Sequence, residues 1–181
     1  MIVYEHNKLS VRHLKEADAG LLVKWLSDPQ VLTYYEGRDR PHDLALVKEH
    51  FYNGDESNVR CIIQYEGQDI GYIQYYPITD EERTEYGYDD FPGTIFGMDQ
   101  FIGETDFWNR GIGTELITSM VRYLINHAGA EKVVMDPQAW NERALRVYEK
   151  AGFVQKKYLQ RHEWHEGEYR DCWVIEYAST K

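Results

Sequence analysis

The chain has 181 residues, 43% of them apolar, and carries 31 acidic against 20 Lys and Arg side chains, a formal net charge of −11. That length suits a single domain, residues 1–181, able to bury a sizeable core, and the apolar content excludes a chain too polar to fold. The negative field repels polyanions, so no nucleic-acid partner is expected, and it favours a cationic small molecule.

No apolar run approaches the ~20 residues needed to span a bilayer, so no membrane partner is expected. The start, Met1-Ile2-Val3-Tyr4-Glu5-His6, has no basic segment, apolar stretch or small-residue cleavage site, and a cytoplasmic location is the expectation. Cys61 and Cys172 stand in apolar, strand-like surroundings and read as small buried hydrophobes rather than a disulfide. Nothing selects monomer over homodimer.

In chain order, a first strand is predicted near Ser10–Leu14, followed by a helix carrying Leu21, Leu22, Trp25 and Leu26 at three- and four-residue spacing. It should stop near Ser27-Asp28-Pro29, because proline cannot continue it. A helix through Leu44, Val47 and Phe51 comes next. Val59–Tyr65 and Ile70–Tyr75 flank the turn Glu66-Gly67-Gln68-Asp69 and read as a β-hairpin. From Pro77 to about Gly93 there is no apolar period, and six acids and two tyrosines suggest a solvated or functional loop.

From Thr94 the order is strand, turn, helix, strand, helix, strand. The strand Ile95–Ile102 precedes a long helix with Leu116, Ile117, Met120, Val121, Leu124 and Ile125 on one face. Val133–Met135 is a further strand ending at Asp136-Pro137. Asn141 is placed to cap a helix bearing Ala144, Leu145 and Tyr148, with Gly152 at its C-terminal end, and Cys172–Tyr177 supplies a last strand. The fold class is therefore α/β (α+β).

The strongest local feature is Arg110-Gly111-Ile112-Gly113-Thr114, between a strand and a helix. Its glycines allow close backbone approach, and the helix N-terminus offers unpaired N–H groups and a positive dipole end, an anion site to which Arg110 adds a cation. Alternatively it is only a tight strand-to-helix turn. Tyr148 lies two helical turns beyond Asn141, on the same face, and is either a phenol near a departing group or a half-buried aromatic. His162, Glu163 and His165 match no strong zinc spacing and read as a solvated turn or hairpin, so no metal is expected.

Taken together, these segments resemble the Gcn5-related N-acetyltransferase superfamily. More narrowly, the chain is similar to bacterial aminoglycoside 6'-N-acetyltransferases, the acetyltransferase halves of bifunctional acetyltransferase–phosphotransferase resistance enzymes among them. Matching pieces run in order along nearly the whole chain: Lys24-Trp25-Leu26, Gly37-Arg38-Asp39, Gly97 to Glu104, Gly111-Ile112-Gly113-Thr114, Asp136-Pro137, Gly152-Phe153, His165-Glu166-Gly167 and Asp171-Cys172. Trp108 departs from the pattern, which has Gln or Arg there, leaving more of the phosphate binding to Arg110 and backbone amides.

The resemblance implies a central mixed, mostly antiparallel sheet flanked by helices, with strands splayed at an acetyl-CoA site. It implies a cationic aminoglycoside as acceptor. Asp99 is then the base or the anchor that orients the amine, unless it is a solvated strand-edge Asp. Tyr148 protonates the leaving thiolate, and backbone N–H groups around Gln100, Phe101 and Ile102 polarise the carbonyl. The cofactor is held by these three residues, by Arg110 to Thr114 and by Asn141. Tyr34, Tyr35, Asp136 and Asp171 join Asp99 as acceptor contacts, the tyrosines alternatively packing in the core and Asp136 alternatively ending its strand.

Overall fold

The computed structural model describes residues 1–179, so the expected domain runs two residues beyond the described ones. The strands are β1 (Ile2–His6), β2 (Leu9–His13), β3 (Val59–Tyr65), β4 (Gln68–Pro77), β5 (Ile95–Ile102), β6 (Lys132–Met135), β7 (Val154–His165) and β8 (Glu168–Ala178). The helices are α1 (Ala19–Trp25), α2 (Pro29–Leu32), α3 (Leu44–Phe51), α4 (Asp80–Tyr86), α5 (Ile112–His127) and α6 (Glu142–Lys150). Among the described residues the eight strands form one sheet in the order β1-β2-β3-β4-β5-β6-β8-β7. β5 and β6 are parallel, whereas β1/β2, β2/β3, β6/β8 and β7/β8 are antiparallel. This is the mixed, mostly antiparallel sheet with flanking helices that the resemblance implied.

Two compact units make up the chain: residues 1–74 with 99–110, and residues 75–98 with 111–181. In the first, Leu22, Trp25, Leu26, Val47, Ile62, Tyr72 and Phe101 form a buried cluster. Trp25 packs edge-on against Phe101 at a centroid distance of 6.1 Å. In the second, Ile78, Tyr86, Ile95, Val134, Leu159 and Val174 pack together, with Tyr76, Tyr88 and Phe91 around them.

Turn chemistry sets two of the hairpins. Glu66 and Gly67 join β3 to β4 with φ of 50° and 81°, and Glu166 and Gly167 join β7 to β8 with φ of 48° and 90°. Positive φ at both central residues matches the natural twist of paired strands. The β3/β4 hairpin was expected; its loop is two residues rather than four.

Several expectations need correction. The stretch after Pro77 is not a loop throughout, because it contains α4. Thr79 and Glu82 form a reciprocal capping box, three acids occupy the first turn, and Gly87 ends the helix in the left-handed region at φ 86°. A seven-residue helix is too short to display an apolar period, so its caps were the only legible signal. Arg83 then closes the following loop by donating to the Phe91 and Gly93 carbonyls. The first helix does stop before Ser27-Asp28-Pro29, since α1 ends at Trp25, and Pro29 in addition opens α2 with Asp28 as its N-cap. Strands β1 and β7 were not anticipated. β7 is exposed along most of its length and lies at the sheet edge, so it carries little alternation.

The parallel pairing of β5 with β6 runs from Ile95↔Lys132 to Gly97↔Val134 and goes no further.

Candidate active site

Asp99 stands on β5, two residues past the last rung shared with β6, and Asp136 stands two residues past the same rung on β6. Asp99, Gln100, Phe101, Ile102, Tyr34, Tyr35 and Arg110 belong to the first unit. Gly111, Ile112, Gly113, Thr114, Asp136, Asn141, Tyr148 and Asp171 belong to the second.

In the first unit, Asp99 is half-buried and accepts a hydrogen bond from Gln74 Nε2 at 2.9 Å. Gln74 is itself oriented: its Oε1 accepts from Tyr72 Oη and from Asn58 Nδ2. Tyr72 is fully buried, and burial raises its phenol well above the usual range, so it stays a neutral donor. The Gln74 amide orients the Asp99 carboxylate with a hydrogen bond that carries no charge of its own.

The end of β5 is pinned from below. Trp25 Nε1 and Lys24 Nζ both donate to Glu104 Oε2, at 2.6 and 2.9 Å. Burial pushes the Glu104 carboxyl up, but the Trp25 and Lys24 contacts outweigh it and hold the group below the usual carboxylate range. Gly103 lies flat on the Trp25 ring, where an added Cβ would come within 2.2 Å of the indole. The quoted segments Lys24–Leu26 and Gly97–Glu104 thus meet in space. Trp108 donates its indole N–H to the Ile102 carbonyl at 2.9 Å and takes Tyr34 edge-on at 5.9 Å. Tyr35 packs on Phe101 at 4.6 Å, whereas Tyr34 is 42% exposed and available at the surface. The Arg110 guanidinium sits over the Phe107 ring at 4.9 Å and the Tyr65 ring at 5.9 Å.

In the second unit, Gly111 caps α5 in the left-handed region at φ 79°, with no side chain closing the helix end. No side chain caps the first-turn N–H groups of Ile112, Gly113 and Thr114 on this sixteen-residue helix, the kind of helix end that suits an anion. At Gly113 an added Cβ would meet only Val147 Cγ1, at 3.7 Å. These residues fit a co-substrate bearing a pyrophosphate, with Ile112 buried as the anchor of the turn. Asn141 caps α6: its Oδ1 accepts from Ala144 N at 3.2 Å. Tyr148 is half-buried on α6 with Phe153 at a centroid distance of 6.3 Å.

Asp136 is bonded in a way the sequence did not announce. Its Oδ2 accepts from Tyr86 Oη at 2.9 Å and from His162 Nε2 at 2.8 Å. Asp171 is engaged within the β7–β8 hairpin, accepting from Tyr158 Oη at 2.6 Å and from the Arg161 N–H at 2.9 Å. The hairpin expected around His162, Glu163 and His165 exists, but these residues lie in its strand rather than its turn, and His165 is buried against Trp140. Among the described residues no three His, Cys, Asp or Glu side chains converge as a metal site. Both cysteines are free and buried, and burial pushes the Cys61 thiol up to about 12.

Reasoning from sequence missed Gln74, Tyr86, His162 and the Trp25–Glu104 contact. Gln74 shares a strand face with Tyr72 through the two-residue period, a usable signal. Tyr86 and His162 had none, since both reach Asp136 from distant parts of the chain.

A glycine-opened helix thus follows one strand of a parallel pair. Residues 15–161 match the family model described as an acetyltransferase (GNAT) domain, and the chain belongs to that family. It is an N-acetyltransferase that uses acetyl-CoA. The chain is 29% identical to aminoglycoside N(6')-acetyltransferase type 1 of Klebsiella pneumoniae over 156 residues, covering 84% of this chain and 77% of the relative. It is 27% identical to N-hydroxyputrescine acetyltransferase of Acinetobacter baumannii over 74% of this chain and 60% of that one. A crystal structure of aminoglycoside acetyltransferase AAC(6')-Ib with coenzyme A and kanamycin superposes with a TM-score of 0.75 at 26% identity, covering 94% of each chain. Among the described residues no helix is long and apolar enough to cross a membrane.

Proposed function

We propose that this protein is an aminoglycoside 6'-N-acetyltransferase, acting as one domain over residues 1–181 and moving an acetyl group from acetyl-CoA to the 6'-amine of the antibiotic. The observation that carries the reading is Asp99, a carboxylate held by a neutral amide on the strand that leads to the phosphate cradle. Similarity to a 6'-acetyltransferase over most of the chain supports it. The net charge of −11 suits a polycationic acceptor.

An amine attacks a thioester only when neutral, and aminoglycoside amines are largely ammonium near neutrality. In this reading Asp99 takes the proton, directly or through water. Backbone N–H groups of Gln100, Phe101 and Ile102 stabilise the charge that develops on the acetyl oxygen. Tyr148 returns a proton to the departing sulfur as the C–S bond breaks. The first-turn amides of Ile112, Gly113 and Thr114, opened by Gly111, hold the phosphates with Arg110. Asn141 supports the neighbouring helix end. Tyr34 and Tyr35 contact the sugar rings and Asp136 receives a second ammonium. The resulting amide has lost a cation needed for RNA contact, which is the basis of resistance, and the reaction belongs in the cytoplasm.

A second reading keeps the chemistry and changes the acceptor to a smaller diamine or siderophore precursor, favoured by the similarity to N-hydroxyputrescine acetyltransferase. Thiol release from acetyl-CoA across a panel of kanamycin, ribostamycin, N-hydroxyputrescine and spermidine separates the two. Acetyl addition to kanamycin, assigned to the 6' nitrogen by NMR, is the expected result. Absence of turnover with every acceptor bearing a free 6'-amine would refute the aminoglycoside assignment.

A further inference from the structure

Both donors to Asp136 fall on one oxygen. Tyr86 Oη and His162 Nε2 reach Oδ2, and among the described residues no protein donor reaches Oδ1. A carboxylate only accepts, so Nε2 carries a hydrogen whether the ring is neutral or charged. The Asp136 side chain is 27% exposed, so it presents one oxygen, in a fixed rotation, to whatever approaches.

His162 arrives there through an irregularity in β7. Leu159 pairs with Cys172 and Glu163 with Arg170, so four steps along β7 answer two along β8. The surplus residues form a bulge, with Arg161 at φ 49°. Asp171 closes the bulge, taking the Arg161 N–H on Oδ1 and the Tyr158 hydroxyl on Oδ2. Bulges of this kind re-aim a side chain, and here the next residue is His162.

The charged and titratable groups around the ring come from every element packed on it. From α4 come Glu85, whose Oε2 is 3.7 Å from Nδ1, and Tyr86. Asp136 follows the end of β6, β7 itself brings Lys157, Arg161 and Glu163, and β8 brings Asp171 and Cys172. The hydrogen bond to Asp136 raises the affinity of His162 for a proton, burial opposes it, and Glu85 and Glu163 add to the rise. An open recess of about 560 Å³, lined by Glu85, Tyr158, Leu159, Gln160, Arg161 and His162, lets the ring exchange protons with solvent.

We infer that His162 is a positioning residue that sets how much negative charge Asp136 offers a cationic acceptor, and that Asp171 acts through the bulge that aims it. This rests on the reading of Asp136 as an acceptor contact. With His162 protonated, the pair is close to neutral and attracts an ammonium weakly. With His162 neutral, the carboxylate keeps its orientation and its full charge. Asp171, whose two oxygens are both occupied inside the hairpin, is then a support for the site rather than a direct contact.

The test is the pH dependence of KM and kcat for kanamycin in the wild type, His162→Gln, His162→Phe and Asp136→Asn, alongside an NMR titration of the His162 ring. Titration of the acceptor itself is common to all four proteins and cancels in their ratios. His162→Gln keeps a neutral donor and removes the charge, so the acceptor KM at the acid end should fall about two- to fivefold and its histidine-dependent step should vanish. His162→Phe removes the donor as well as the charge and should raise KM above that of His162→Gln at every pH, with the effect on KM rather than kcat. Asp136→Asn and Asp171→Asn should each lower the midpoint of the His162 titration. A His162→Gln enzyme that follows the wild-type KM profile overturns the inference, as does a ring midpoint unmoved by Asp136→Asn. An unchanged KM in Asp136→Asn instead overturns the reading of Asp136 as an acceptor contact, so the two failures are distinguishable.

Discussion

Gln74 Nε2 donates to Asp99 Oδ2 at 2.9 Å, and the Gln74 carbonyl oxygen is turned the other way by Tyr72 and Asn58. With two donors on its oxygen, the amide has only one satisfactory orientation, and that orientation aims N–H at the carboxylate. Gln74→Leu should therefore lower kcat about tenfold to a hundredfold, the scale on which misplaced reacting groups act. Gln74→Glu sets a like charge beside Asp99 and disfavours its ionised form, so the acid limb of the pH–rate profile should move to higher pH. If Asp99 is the base, as proposed, its direct loss in Asp99→Asn should cost more, roughly 10²- to 10⁴-fold. Steady-state rates with acetyl-CoA saturating check all three.

Gly111 has open space around its missing side chain, so its φ of 79° is what excludes other residues. An alanine there costs about 1–2 kcal/mol in the left-handed region, or tilts the first turn of α5 away from its present direction. Gly111→Ala should weaken CoA binding measured by calorimetry and lower Tm, while Gly113→Ala, with only a 3.7 Å contact to meet, should lower Tm less.

Gly103 has the opposite reason for being glycine. An added Cβ would lie 2.2 Å from the Trp25 ring, and that ring is 1% exposed and tied to Glu104. Gly103→Ala must push apart the buried cluster of the first unit and should destabilise the protein by about 1–3 kcal/mol, read as a lower denaturant midpoint. Glu104→Gln keeps the shape and removes the charge held by Lys24 and Trp25, and should cost less.

Acid stability should depend on Asp18. Arg12 grips it with two hydrogen bonds of 2.8 Å, and Lys15 N–H adds a third at 2.7 Å. Burial raises this carboxyl, but the Arg12 and Lys15 contacts prevail and hold it below the usual carboxylate range. A group depressed in the folded state contributes stability above its unfolded value, about 3.9, and that contribution disappears as pH falls through the folded value. Asp18→Asn should lose about 1.5–3 kcal/mol at neutral pH, because Arg12 gives up its two-pronged partner and keeps only Asp69 at 3.2 Å, and its stability should vary less with pH below about 4. Denaturant unfolding of both proteins across that range gives the comparison.

Much of this was legible in the residues themselves. The apolar stripe of α5, the Asn141 cap of α6 and the glycines that open α5 are local signals, because a helix needs its face and its caps within a few residues of one another. The β3/β4 hairpin was equally plain, although its turn tightened to Glu66-Gly67. Short or edge elements were not. α4 has seven residues and only its capping box to mark it, and β7 alternates weakly because it is exposed along most of its length.

By itself, then, the sequence determined α1, α3, α5 and α6, the glycine turn and the strands that carry or lead to Asp99 and Asp136, since each depends on neighbours a few positions away. Only the tertiary structure decided what holds those carboxylates. Gln74 meets Asp99 across 25 residues, Tyr86 meets Asp136 across 50, and His162 reaches Asp136 across 26 by way of a bulge closed by Asp171. Contacts between side chains far apart in the chain follow from sheet order and register, and no local pattern of residues encodes them.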